Sequence, residues 1–145
     1  MPDIREPRFS YPKSAVMFHR YAWVLVGNPL TCAHSANPDF SYYAYQNAPA
    51  NGDTFTHNFY LAAGVYALKV HGHTALDRAK IDWYIDGVLV VSGQDWWSGG
   101  TVWNAIIVDS VLVSYSGPHV LKGITNGCNV GSTGWGIWLT TISLT

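Results

Sequence analysis

The chain has 145 residues and a formal charge of −1, with 12% charged and 14% aromatic side chains. A domain of that length buries about two-thirds of its unfolded surface, so it needs no disulfide framework, and its near-neutral charge excludes a general nucleic-acid binder. The charged fraction is about half that of ordinary soluble domains; beside seven Trp and nine Tyr, it predicts a surface partly covered by copies of the chain or by a larger assembly.

The first segment, residues 1–13, reads as an extended basic arm. Arg5, Arg8, Lys13 and the later Arg20 are half of the eight basic residues, and prolines at 2, 7 and 12 block regular structure. The charges of M-P-D-I-R-E-P-R stand where a signal peptide has its apolar stretch, so no leader is expected. Residues 14–53 follow as one strand plus a long aromatic loop. Ala15 to Val26 is the strand candidate; His19 and Arg20 interrupt it, and it is too short to span a bilayer. Asn28 to Asp53 is long for a connection and carries F-S-Y-Y-A-Y, the composition of a contact loop.

Residues 54–145 show dense β patterning. Phe55, His57, Phe59 and Leu61 fall on one face of a strand over 54–61, and Tyr66, Leu68 and Val70 on one face of the next. Ile81, Trp83 and Ile85 alternate with Lys80, Asp82 and Tyr84. Asp86-Gly87 then supplies a type I′ turn, whose central residues need positive φ, and Val88 to Val91 returns. Further strands are expected over 102–108, 111–115, 119–125 and 134–144. No segment keeps a helical period. About eight short strands with glycine-rich turns predict an all-β protein, an antiparallel β-sandwich of jelly-roll type with an extended N-terminal arm.

Candidate chemistry is sparse. His71 and His73 stand at i and i+2, the spacing of metal ligands on one strand face. The glutamate that such sites add is missing from this region, since Glu6 is the chain's sole Glu. The alternation also puts both histidines on the outer face, so no metal and no cofactor is expected. Cys32 and Cys128, far apart and without C-x-x-C spacing, read as buried free thiols. Asp82 falls on a polar strand face, Asp86 belongs to its turn, and Asp77 with Arg78 reads as a loop-bracing ion pair. With no nucleophile elbow, no enzyme is expected. Trp96, Trp97 and Trp103 are the strongest binding candidates. Adjacent tryptophans on a loop cannot both enter one core, so a ring can stack a sugar, anchor a neighbouring subunit, or seal one end of the sandwich.

Three motifs carry a resemblance: A-G-V-Y-A-L-K-V from Ala63, D-R-A-K-I-D-W-Y-I-D-G from Asp77 running into Q-D-W-W-S, and G-S-T-G-W-G-I-W-L-T-T-I from Gly131. Together they resemble the jelly-roll domain of tailed-bacteriophage virion surface proteins, which recurs in capsid decoration (cement) proteins and in tail-fibre C-terminal domains. Ala79 departs from the glycine expected after Asp77-Arg78, and the short basic arm leads us to expect no long trimeric stalk before the domain. The resemblance implies a non-enzymatic decoration protein assembled in the host cytoplasm onto the virion's capsid surface. Its partners would be itself, as a homotrimer, and the major capsid protein, with Arg5, Arg8, Phe9, Tyr11 and Lys13 as the contact arm. The alternative is a carbohydrate- or receptor-binding module of a tail or fibre, with a glycan as partner.

Overall fold

The computed structural model describes residues 12–13, 15–17, 23–26, 30–34, 42–46 and 50–145. Among them are eleven strands and no helix: β1 (Ala15–Met17), β2 (Trp23–Val26), β3 (Leu30–His34), β4 (Tyr42–Gln46), β5 (Thr54–Leu61), β6 (Gly64–Thr74), β7 (Ala79–Ile85), β8 (Val88–Asp95), β9 (Val102–Val113), β10 (Gly117–Cys128) and β11 (Trp138–Leu144). They form two antiparallel sheets. The first has the order β3-β4-β11-β6-β9, with β1 also paired to β11; the second has the order β2-β5-β10-β7-β8. From β5 onward the chain passes back and forth between the sheets, which is the jelly-roll connection expected for an all-β chain of this pattern.

The early part of the chain differs from the expected single strand and loop. The run from Ala15 to Val26 divides into β1, which pairs with the end of β11, and β2, which pairs with β5 in the other sheet. The long segment before Asp53 contains β3 and β4, paired with each other from Leu30↔Gln46 to His34↔Tyr42. The free edge of β11 is shared end to end: Trp138 and Leu139 pair with β4, whereas Ile142 to Leu144 pair with β1.

The core lies between the sheets. Tyr66, Leu68 and Val70 of β6 face Ile81, Trp83 and Ile85 of β7, with Leu121, Ile142 and Leu144 filling the space between. These are the residues that period-two alternation selects, and their burial is the main driving force for closing the sandwich. Trp83 and Trp96 carry polar atoms into this core, and one side chain satisfies both: the Gln94 carbonyl accepts the Trp83 indole N–H at 2.7 Å and that of Trp96 at 2.9 Å.

Irregularities bend the strands where a simple pattern suggests breaks. The segment expected as two strands is the continuous β9. Between Tyr66↔Val111 and Leu68↔Val108 it takes three steps against two on β6, a β-bulge in which Ser110 adopts φ +63°. Gly93 (φ +62°) and Gly127 (φ +78°) lie at equivalent register shifts of β8 and β10. The Asp86-Gly87 turn has φ +50° and +80°, as the type I′ reading requires.

Candidate functional site

Three loops converge at one end of the sandwich: β6–β7 (75–78), β8–β9 (96–101) and β10–β11 (129–137). Their backbones knit together. Ser98 N–H donates to the Ala75 carbonyl (3.1 Å), Thr133 N–H to that of Leu76 (2.9 Å), and Gly136 N–H to that of Asp77 (2.8 Å). Such cross-loop pairing removes the freedom that glycine-rich loops otherwise have and prepares a rigid surface.

Arg78 anchors the arrangement from below. It is 2% exposed. Its Nε–H donates to the His73 carbonyl (3.1 Å), a terminal nitrogen donates to His73 Nδ1 (2.8 Å), and the other pairs with the Asp77 carboxylate. The guanidinium also lies 4.5 Å over the Trp138 ring, on which His73 stacks at 4.9 Å. Burial pulls the Arg78 pKa below its ordinary value while Asp77 works against that shift. Burial, and then the Arg78 charge, push His73 down to about 4, opposed by Asp77. An arginine only donates, so Nδ1 of His73 is an acceptor and the ring is neutral at ordinary pH. The Asp77–Arg78 pair is therefore the brace that the sequence suggests. His73 corrects the expectation that both histidines face solvent: the outer face of the sheet is covered there by Trp138 and Arg78. His71 is half-buried.

The tryptophans separate. Trp96 is 1% exposed and belongs to the core, so it offers no face to a sugar. Trp97 is half-buried and lies against Gly131, where a Cβ would come 2.9 Å from Cζ2 of the ring. Its backbone N–H donates to Asp95 Oδ1 (3.0 Å), and Asp95 Oδ2 accepts from Asn129 (2.8 Å). Trp97 thus ties the β8–β9 loop to the β10–β11 loop. The side chain of Trp103 lies outside the described residues, as do Arg5, Arg8, Phe9 and Tyr11 of the arm; Lys13 is exposed.

The ring that stands out of this end is Trp135, 40% exposed, with Leu76 and Val130 also exposed. It sits between two glycines pressed on the β6–β7 loop: a Cβ on Gly134 or Gly136 would come 3.4 or 2.9 Å from the Asp77 carbonyl oxygen. Trp135 lies within the third sequence motif, yet the adjacent Trp96-Trp97 pair draws attention away from it. The available signal is a large ring flanked by glycines, which cannot bury it locally. The same loops carry the exposed Asp77 carboxylate and Thr133, so this end of the sandwich combines an exposed ring with hydrogen-bonding groups.

The Asp82 carboxylate is structural. Asp82 is buried, not on a solvated face, and accepts from Gly93 N–H (2.6 Å) and the Asn126 amide (2.7 Å). Cys128 is a free thiol, half-buried. Among the described residues no three of His, Cys, Asp and Glu gather to hold a metal ion.

Neither a known sequence family nor a curated protein matches the chain. Solved structures do. A Paenibacillus xanthan lyase matches 84% of the chain with a TM-score of 0.72 at 21% identity, although the chain spans only 12% of that enzyme. A carbohydrate-binding module of family 36, from a multidomain xylanase of the Trinervitermes trinervoides hindgut metagenome, matches 92% of this chain and 97% of its own length, with a TM-score of 0.64 at 14% identity. A family 35 carbohydrate-binding module from Clostridium thermocellum matches 92% of this chain and 98% of its own length, with a TM-score of 0.64 at 16% identity. Another family 36 module, solved with calcium and xylotriose, matches at 17% identity with a TM-score of 0.62. None of these neighbours is a virion protein, so the resemblance to phage surface proteins holds only as far as the jelly roll, and the homotrimer and capsid partner draw no support from them. The chain has the jelly-roll fold that these carbohydrate-binding modules have.

Proposed function

We propose that this chain is a non-catalytic carbohydrate-binding module that takes a sugar at its loop end, with Trp135 as the stacking platform. The observation that carries this reading is the half-exposed Trp135 ring, held between glycines on a hydrogen-bonded rim. A pyranose presents a flat patch of C–H groups to such a ring, and its hydroxyls need planar acceptors at the edge. The Asp77 carboxylate and nearby carbonyls supply acceptors. The likeness to domains that are themselves carbohydrate-binding modules, matched at 97% and 98% of their length, supports the same reading and favours it over capsid decoration.

The test is a panel of soluble polysaccharides and oligosaccharides (xylan, mannan, galactan and xanthan among them) against the wild-type chain and Trp135→Ala. A bound glycan is expected, and loss of the ring should weaken it about tenfold or more while leaving the fold intact, since the side chain is not in the core. Equal binding by the variant, or no binding to any glycan, would overturn the proposal.

A further inference from the structure

At the end of the sandwich opposite the loops lies an open recess of about 380 Å³, lined by Asn58, Tyr60, Asp86, Tyr115, Pro118 and Val120, with His119 beneath. Tyr60 is 59% and Tyr115 49% exposed. The volume is at the small end of ligand cavities, which run roughly 300–1,000 Å³, and suits one sugar ring.

The recess is built around one carboxylate. Asp86 Oδ1 accepts the Val120 N–H (2.9 Å), and Oδ2 lies 2.7 Å from His119 Nδ1 and 3.1 Å from the Tyr115 hydroxyl. Carboxylates only accept when ionised, so Nδ1 of His119 carries the proton. Burial raises the Asp86 pKa, but the hydrogen bonds from His119 and Val120 outweigh it, and the group ends below its ordinary value. It is therefore a fixed anion. With about four acceptor positions on a carboxylate, Oδ1 keeps one for an incoming donor. The His119 ring is packed between Phe59 (5.4 Å) and Tyr115 (4.5 Å), and its side chain is fully buried. Its Nε2 is buried and has no hydrogen-bond partner. No lysine or arginine lines the recess.

A carboxylate that no lysine or arginine neutralises, in a recess lined by Tyr60 and Tyr115, is matched by a ligand that is both cationic and flat-faced. Tyrosine faces attract cations as well as C–H surfaces. We propose that this recess is a second binding site, for an amine-bearing saccharide whose protonated primary amine meets Asp86 while its ring lies against Tyr60. The saccharide half rests on the carbohydrate-binding reading above; the cationic half stands on the recess alone.

Titration calorimetry of the full chain at pH 6 tests it, with a tetramer of β-1,4-linked glucosamine, the same tetramer fully N-acetylated, and choline as a cation without a sugar. The glucosamine tetramer should bind, and its acetylated form about tenfold more weakly or worse, because the charge is gone. Asp86→Asn should lower the affinity about tenfold. Asparagine tolerates the positive φ of this turn and keeps an acceptor for Val120, so the hairpin survives. Tyr60→Ala, at an exposed position, should weaken binding independently of the turn. Trp135→Ala should leave it within about twofold, which separates this site from the loop end whatever binds there. No binding of the amine tetramer, equal binding of both tetramers, or wild-type affinity in both Asp86→Asn and Tyr60→Ala would overturn the proposal. Choline binding as tightly as the tetramer would overturn its assignment to a saccharide.

Discussion

Gly72 pairs with Leu139 where β6 runs beside β11. A Cβ built there would overlap the Trp138 carbonyl oxygen and come 2.9 Å from Trp96 Cζ3. Both obstacles are fixed, one by the sheet ladder and the other by the core. Gly72→Ala should therefore destabilise the protein by roughly 1–3 kcal/mol, the cost of overpacking. A melting temperature lower by about 3–10 °C in thermal denaturation is the expected outcome; an unchanged value would show that β11 can move aside. The residue scale is also where local pattern misleads most. In H-G-H the histidines attract a metal reading, but the glycine carries the constraint. His73 obeys the alternation and points away from the core, yet is buried because Arg78 of the following loop and Trp138 from a distant strand close over it. Likewise Trp96 and Trp97 are neighbours in sequence with different fates: Gln94 holds one in the core and Gly131 supports the other at the rim.

The strands from β5 to β7 are legible because one face of each is buried between sheets, which imposes period two on the sequence. β3 and β4 are less legible. Prolines 29, 38 and 49 suggest a loop, but they stand outside these strands, before, between and after them. A proline excludes its own position from a ladder and leaves room for four or five residues between. β9 shows the converse, a strand that continues through an apparent break. Asp109-Ser110 looks like a turn, and the bulge opposite Ala67 absorbs the extra residue without ending the pairing. Ser110 then occupies a left-handed conformation that costs a non-glycine residue about 1 kcal/mol. Ser110→Gly should be neutral or slightly stabilising. Ser110→Val, β-branched at the same φ, should cost about 1–2 kcal/mol. Urea unfolding of the pair checks this, and equal stabilities would mean that the bulge relaxes.

Across the whole molecule, the buried loop anchor makes stability depend on pH. His73 titrates near 6.5 when unfolded but is held at about 4 in the fold, by burial first and the Arg78 charge second, with Asp77 opposing. His71 is lowered too, by burial and by Lys69. Between those values the unfolded chain binds the additional proton. Stability is therefore complete above pH 6.5 and declines as pH falls toward 4. Urea midpoints at pH 7.5 and 4.5 should differ in that direction. His73→Gln, which keeps an acceptor for Arg78, should flatten the dependence; identical midpoints in the wild type would show that His73 is accessible to protonation in the folded state.

The sequence by itself determined the fold class, the hairpin at Asp86-Gly87, the Asp77–Arg78 brace and most of the core between Phe59 and Leu144. Each of these depends on neighbours one to four residues apart, through alternation, turn chemistry or adjacency, and such spacing is written directly in the chain. Only the tertiary structure decided which tryptophan is exposed, which histidine is buried, and that Tyr60, Asp86, Tyr115 and His119 surround one recess. Those outcomes depend on which loops meet at each end of the sandwich. That is set by the pairing of strands far apart in the chain, such as β5 with β10 and β1 with β11, and no local period records it.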